Sequence, residues 1–249
     1  MNIGIITQAR LGSTRLPGKI IMPFYGNQTI IDILMNKLHQ ATTSKVVVAT
    51  TINPDNDLLA EHLRVKGELI FRGSENDVLD RFIKASEEYH IDGIIRICSD
   101  NPFIDPDGIK TLINKAKDSD ADYIGFRINH MPSIKTHFGF WGEFVTLDAL
   151  KRVAVSTDEK SAHEHVTIHI YTHPEEYRCE WIDCPDFIQG RDNIRLTVDT
   201  QEDFDNAVRI YSDLTASHPS FGLKEIINYI DEHEDIKASM KRMITQNSK

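Results

Sequence analysis

Very little in this chain lends itself to covalent cross-linking. Its 249 residues contain three cysteines, Cys98, Cys179 and Cys184, with no C-x-x-C pair among them. That spacing excludes a disulfide framework and a zinc ribbon, and it makes a reducing, cytoplasmic setting the expected one. Long apolar runs are missing too. None approaches the ~20 residues needed to span a bilayer, so no membrane partner is expected. The first residues lead straight into a short strand pattern rather than the basic-then-apolar pattern of a secretory leader. No Pro/Gly/Ser-rich linker or low-complexity tract interrupts the chain, and one domain over residues 1–249 is the expected organisation. Positive charge is in deficit, with a formal net charge of -10. A general nucleic-acid surface needs a basic patch, so that class of partner is excluded.

Two familiar phosphate-binding signatures are also absent. No G-x-G-x-x-G follows the first strand, and from Gly12 to Gly18 there are five intervening residues rather than the four of a Walker A loop. Ile20 follows Lys19 where that loop needs a Ser or Thr. In their place, directly after Ile3-Gly4-Ile5-Ile6-Thr7, stands Ala9-Arg10-Leu11-Gly12-Ser13-Thr14-Arg15-Leu16-Pro17-Gly18-Lys19. Two arginines and a lysine among small hydroxyl and glycine residues set fixed positive charge beside exposed backbone N–H groups. The stretch reads as a triphosphate cradle, in a protein whose cations are otherwise outnumbered.

Along the chain, β-rich runs alternate with amphipathic helical ones. Ile3–Thr7 precedes a helix near Ile30–His39, Lys45–Thr50 precedes Asp57–Lys66, and Glu68–Phe71 precedes Val78–Tyr89. Gly93–Cys98 then precedes Asp107–Lys117, and Asp122–Phe126 follows. Such spacing predicts an α/β fold, with βαβ crossovers and a mostly parallel sheet covered by helices on both faces. Ligands in such sheets bind beyond the carboxyl ends of the strands. After Phe126 the alternation lapses, and residues 127–190 are expected to form a lid or dimerisation excursion. Regularity resumes with a strand over Ile194–Val198 and a helix from Thr200, where Thr200 and Asp203 are spaced like a capping box. The tail from His233 reads as a frayed helix end.

Two carboxylates end predicted strands. Asp100 lies in Cys98-Ser99-Asp100-Asn101-Pro102 and reads either as a magnesium ligand or as a turn residue before Asn-Pro. Asp199, after Leu196-Thr197-Val198, reads either as a second ligand or as the cap of the following helix. Two strand-end carboxylates beside a basic loop are the makings of a nucleotide–Mg²⁺ site. Arg72 and Ser74 follow the third strand and either contact base and ribose or form a plain capped loop. His163-Glu164-His165 has neither the H-E-x-x-H spacing nor a nearby cysteine pair, so its histidines are expected as acceptor-pocket or core groups.

The loop Gln8–Lys19, then Val48-Ala49-Thr50, Phe71-Arg72-Gly73-Ser74, Ser99-Asp100-Asn101-Pro102-Phe103-Ile104 and Val198-Asp199-Thr200-Gln201-Glu202-Asp203, occur in the order seen in CMP-sugar synthetases. Over nearly its whole length the chain resembles the 3-deoxy-manno-octulosonate and acylneuraminate cytidylyltransferases, most closely their spore-coat polysaccharide branch. The resemblance implies a Rossmann-like nucleotide-binding fold, a homodimer, CTP as donor and a small anionic acceptor such as a sugar acid. It also implies Mg²⁺ on the residues matching Asp100 and Asp199, and phosphates on those matching Arg10 and Lys19. The expected catalytic set is therefore Arg10, Lys19 and Asp100. Ala9, Ser13, Arg15, Thr50, Arg72, Ser74 and Ser99 complete the nucleotide side, and Trp141, Glu143, His163 and His165 are expected on the acceptor side.

Three positions depart from the family pattern. Ser99 stands where a glycine is usual, Trp141 where the branch often has an acidic residue, and His163 where it commonly has arginine. Trp141 reads equally as a core or interface residue. Two rival functions have distinct requirements. A nucleotide-sugar glycosyltransferase needs a D-x-D pair, for which Asp118-Ser119-Asp120 is the mid-chain candidate and reads better as a solvated turn. A catalytically silent nucleotide-binding scaffold would have no need to keep both aspartates and Lys19.

Overall fold

The computed structural model describes residues 1–246. In chain order its strands and helices are β1 (Ile3–Gln8), β2 (Pro23–Tyr25), β3 (Gln28–Thr29), α1 (Ile30–Ala41), β4 (Val46–Thr51), α2 (Asp57–Val65), β5 (Leu69–Gly73) and α3 (Val78–Tyr89). There follow β6 (Gly93–Cys98), α4 (Pro106–Lys117), β7 (Tyr123–Ile128), β8 (Met131–Pro132), β9 (Glu143–Thr146), α5 (Leu147–Ser156), α6 (Lys160–His165) and α7 (Ile168–Thr172). The chain closes with β10 (Cys179–Asp183), α8 (Gln201–Ser217), α9 (Leu223–Glu232) and α10 (Glu234–Gln246).

The central strands are runs of β-branched and small residues because both of their faces are covered. In β4, Val46-Val47-Val48-Ala49-Thr50-Thr51 is buried at every position. The sheet order is β10-β7-β9-β6-β1-β4-β5, with β8 paired to β7. β6, β1, β4 and β5 run parallel to one another, as the sequence spacing predicts. One apolar layer joins Ile5, Val48 and Ile95 to Leu34, Ile109, Phe204 and Ile226. The opposite layer joins Ile6, Val47 and Ile94 to Phe82, Leu150 and Ile170. Helix starts follow local chemistry: Thr29 with Asp32 and Thr200 with Asp203 form reciprocal capping boxes, and Asp77 caps α3.

Residues 127–190 differ from a simple excursion. β9 inserts into the sheet between β6 and β7, antiparallel to both, and β10 extends the edge parallel to β7. Of its helices, α5 and α6 pack against α3, and α7 packs on α5 and α6. Residues 194–198 are not a strand. They form an extended segment whose N–H groups at Leu196 and Thr197 both donate to the His137 carbonyl, with Val198 N donating to Asp100 O. They are pinned to two loops rather than laddered to a neighbour. The tail from His233 is no frayed end over residues 234–246, where α10 buries Ile236, Met240 and Met243; the last three residues of that tail lie outside the described ones.

Candidate active site

The carboxyl ends of β1 and β6 place the cationic loop beside Asp100. The loop leaves β1 at Ala9, whose N–H donates to the Ala49 carbonyl at 3.2 Å. It is then held from α2's approach: Leu11 N donates to Asn56 Oδ1 at 2.8 Å, while Asn56 Nδ2 donates to Thr51 Oγ1 at 2.9 Å. Gly18 adopts φ 71, a left-handed conformation that suits glycine and turns the chain so that Lys19 enters the protein. Lys19 is 8% exposed. Its Nζ lies 3.3 Å from Asp100 Oδ2 and 3.4 Å from Asp199 Oδ1, and also donates to the Val198 carbonyl. Arg15 reaches the same Asp199 oxygen at 3.0 Å.

Asp199 is oriented from behind by Arg195, whose buried guanidinium donates to Asp199 Oδ2 at 3.0 Å and to both oxygens of Asp203 at 2.6 and 2.9 Å. Its remaining nitrogen donates to His137 Nδ1 at 2.8 Å. Burial works against the Arg195 charge, but the hydrogen bonds and charges of Asp203 and Asp199 outweigh it and hold the pKa above the ordinary arginine value. The capping alternative for Asp199 is settled by its neighbours. Thr200 caps α8 and Asp203 completes the box, which leaves the Asp199 side chain directed at cations.

On the nucleotide side, Arg10 is exposed and Ser13 half-buried, with Ser13 Oγ 3.5 Å from Leu16 N. Arg10 faces Arg81: burial first, then the Arg10 charge, draw the Arg81 pKa down to about 10, against the pull of Glu75 and Asp77. Arg72 is committed to its surroundings, donating to the Thr51 and Asn53 carbonyls and pairing with Asp57 at 2.7 Å. Ser74 Oγ accepts from Asp77 N at 3.1 Å, a turn contact before α3. Both residues nevertheless line an open cavity of about 760 Å³ at the ends of β4 and β5. Thr50 is fully buried in β4, and its Oγ1 has no hydrogen-bond partner. Ser99 is buried immediately before Asp100.

The four residues expected around the acceptor do not converge. Glu143 is 1% exposed and forms a strut inside the sheet. It takes hydrogen bonds from Arg96 Nη1 at 2.6 Å, from the Tyr123 hydroxyl and from Thr167 Oγ1 at 3.0 Å. Burial, with the Glu143 charge and hydrogen bond added, pushes the Tyr123 pKa well up, so its phenol stays a donor. His163 bridges Asp77 Oδ2 at 2.8 Å and the Thr157 carbonyl at 3.1 Å, tying α6 to the start of α3. The Asp77 hydrogen bond raises its pKa over the opposing effect of burial. His165 is exposed at the end of α6. Trp141 is buried, stacked on Phe126 at 4.9 Å, but also lines a small cavity of about 70 Å³ that contains Asp100.

A family model described as cytidylyltransferase matches residues 3–245. The chain belongs to the cytidylyltransferase family. It is 33% identical over 240 residues to the spore coat polysaccharide biosynthesis protein SpsF of Bacillus subtilis, covering 94% of this chain and 96% of that one. A solved cytidylyltransferase from Leptospira borgpetersenii superposes with a TM-score of 0.82 at 27% identity, over 95% of this chain and 96% of the other. The CMP:2-keto-3-deoxy-manno-octonic acid synthetase solved with CTP shares the fold at a TM-score of 0.63 and 15% identity, over 85% of this chain and 98% of that one.

Asp100 and Asp199 give this cytidylyltransferase two hard oxygen donors, the ligand type that magnesium takes. Asp100 and Asp199 point at one shared position, occupied by the Lys19 ammonium. Among the described residues no group of three or more His, Cys, Asp or Glu side chains could form a closed metal cage. One or two carboxylates completed by substrate phosphates and water is the usual Mg²⁺ arrangement. Asn56, Arg81 and Arg195, which the sequence reading passed over, brace Leu11, Ser74 and Asp199 by hydrogen bonds. A signal existed for two of them: Arg81 falls on the apolar face of α3, and Arg195 interrupts the apolar run Ile194–Val198.

Proposed function

We propose that this protein transfers CMP from CTP to a sugar acid or related small anionic acceptor, releasing pyrophosphate, for surface polysaccharide or glycoconjugate synthesis. The observation that carries the reading is the Lys19 ammonium held between Asp100 and Asp199 at the mouth of a cationic loop. Phosphoryl transfer of this kind needs positioning and charge neutralisation more than covalent help. Arg10, Arg15 and Lys19 bind the triphosphate and offset the charge that builds on the departing pyrophosphate. The acceptor oxygen forms the new bond to the α-phosphorus as the bond to the β-phosphate oxygen breaks, and the acceptor proton leaves to water. Asp100 and Asp199 would hold Mg²⁺, which when bound polarises the α-phosphoryl group. Ala9, Ser13, Thr50 and Ser99 shape the floor of this site, with Arg72 and Ser74 at the base and ribose end.

The glycosyltransferase alternative loses its metal motif. Asp118 closes α4, and Ser119 Oγ donates to Glu180, so Asp118-Ser119-Asp120 is a turn leading into β7, at the end of the sheet away from Asp100. No helix among the described residues is long and apolar enough to cross a membrane. The same reading takes the enzyme as a cytoplasmic homodimer, which light scattering checks directly. The deciding assay follows pyrophosphate release from CTP with Mg²⁺ across a panel of sugar acids, beginning with 3-deoxy-manno-octulosonate, and identifies the CMP-linked product by mass. Hydrolysis of CTP without a linked product, or none at all, overturns the proposal.

A further inference from the structure

The chain itself already neutralises the two aspartates. Lys19 Nζ stands 3.3 Å from Asp100 Oδ2 and 3.4 Å from Asp199 Oδ1, and Arg15 Nη2 is 3.0 Å from that same Asp199 oxygen. Arg195 takes the other oxygen, Oδ2, at 3.0 Å. These three cations are not held alike. The Arg195 side chain is fully buried, and its guanidinium is also tied to both oxygens of Asp203 and to His137, so it stays where it is. The Arg15 side chain is 45% exposed. Lys19 reaches the aspartates on a flexible stem whose backbone is fixed: Gly18 N donates to the Leu11 carbonyl and Ile21 N to the Gly18 carbonyl, each at 2.9 Å. A swing of two side chains therefore releases Asp100 Oδ2 and Asp199 Oδ1 without moving the loop.

The geometry points to Lys19 as an internal place-holder for the metal: its ammonium keeps a divalent cation off Asp100 and Asp199 until a triphosphate draws it away, so that metal and nucleotide enter as one unit. The inference rests on the metal and triphosphate roles proposed above and adds the order in which the site fills. Space decides first. An ion bridging Asp100 Oδ2 and Asp199 Oδ1 at the ~2.0–2.1 Å of magnesium would press against Nζ, cation on cation. Charge decides second. Asp100, Asp199 and Asp203 are matched by Lys19, Arg15 and Arg195, so a divalent ion arriving alone would leave the cluster with surplus positive charge. When Lys19 and Arg15 turn to the phosphates, the charge they withdraw from the aspartates equals the charge that a divalent ion brings. The phosphate oxygens are strong acceptors for both cations and so offset the loss of the carboxylates. Arg195 keeps its grip on Oδ2 throughout, which leaves Asp199 Oδ1 as the oxygen offered to the metal.

Mn²⁺ alone, with neither nucleotide nor acceptor, is the probe, its binding read by electron paramagnetic resonance of the free ion and by Tm. The wild-type protein should bind it weakly and show no rise in Tm. Lys19→Met, which keeps the stem and removes the ammonium, should bind Mn²⁺ about tenfold or more tightly, because a unit charge at contact distance in a partly buried site is worth at least that factor. Its Tm should then rise with Mn²⁺ by mass action. Asp199→Asn on the Lys19→Met background should abolish the gain, which locates it at the aspartates. Should Lys19→Met fail to fold, Lys19→Gln, which keeps a donor for the Val198 carbonyl, is measured in its place. Equal Mn²⁺ affinity of the wild-type and Lys19→Met proteins, undetectable binding by both included, overturns this inference, as does a gain that survives Asp199→Asn. The pyrophosphate-release assay judges the transferase reading separately, since no turnover enters the Mn²⁺ measurement.

Discussion

Glu143→Gln separates an acceptor contact from a structural strut. Arg96 on β6 faces Glu143 on β9 in direct register, with side chains 4% and 1% exposed, so the substitution leaves a buried guanidinium without its counter-charge. Breaking a buried pair from one side costs ~3–5 kcal/mol. Each kcal/mol shifts Tm by about 2–4 °C in a chain of this length, which gives an expected loss of ~6–20 °C. Glu143 uses both oxygens, Oε1 for the Tyr123 hydroxyl and Oε2 for Arg96 and Thr167, whereas Gln keeps one, so the loss combines the missing charge with one hydroxyl that must turn to accept from the new amide. Removing both charges together, as Arg96→Met with Glu143→Leu, should recover at least half of that loss, because a buried pair often exchanges for apolar residues at little net cost. The assay is calorimetric unfolding beside acceptor kinetics at a temperature where every variant is folded. A Tm within ~2 °C of wild type, together with a raised acceptor KM, would place Glu143 at the acceptor and refute the strut.

CTP with Mg²⁺ should raise Tm by mass action, and ATP, GTP and UTP should raise it less; equal shifts for all four remove the cytidine assignment. Asp100→Asn and Asp199→Asn should each lower turnover by several orders of magnitude while circular dichroism stays native, since a neutral amide is a poor Mg²⁺ partner. Near wild-type turnover of Asp199→Asn at limiting Mg²⁺ would reduce that residue to a partner of Arg195. The His163–Asp77 contact predicts a pH effect of definite sign. Its folded pKa lies above the ordinary 6.5, so its stabilisation is complete below 6.5 and is lost as pH rises through the folded value. His163→Gln should flatten that part of the Tm–pH curve, and an unchanged curve would contradict the bridge.

What the chain disclosed before its structure was known divides by the range of the interactions. The parallel half of the sheet announced itself locally, through β-branched runs such as Val46–Thr51 and through capping residues within three positions of their targets. The cationic loop and Asp100 were legible for the same reason: strand order carries them to one end of the sheet without any side-chain detail. Asp199 reaches them by another route, on an extended segment that is no strand and is hydrogen-bonded to the His137 and Asp100 carbonyls. β9 was not legible. It is four residues long and slots between strands far apart in sequence, so no local pattern could say that Glu143 faces inward at Arg96, 47 residues away. His163 was left between acceptor pocket and core by the same mechanism, its partner Asp77 being 86 residues distant. Asp199 shows the opposite outcome. Its two readings, cap and ligand, were both open in sequence, with the pair of aspartates favouring ligand, and the capping box at Thr200 and Asp203 removed the cap by satisfying the helix terminus without it. The aspartate next to that box is left with three cations and no structural task at the helix, an arrangement that is costly in isolation and sensible beside a polyphosphate and its metal.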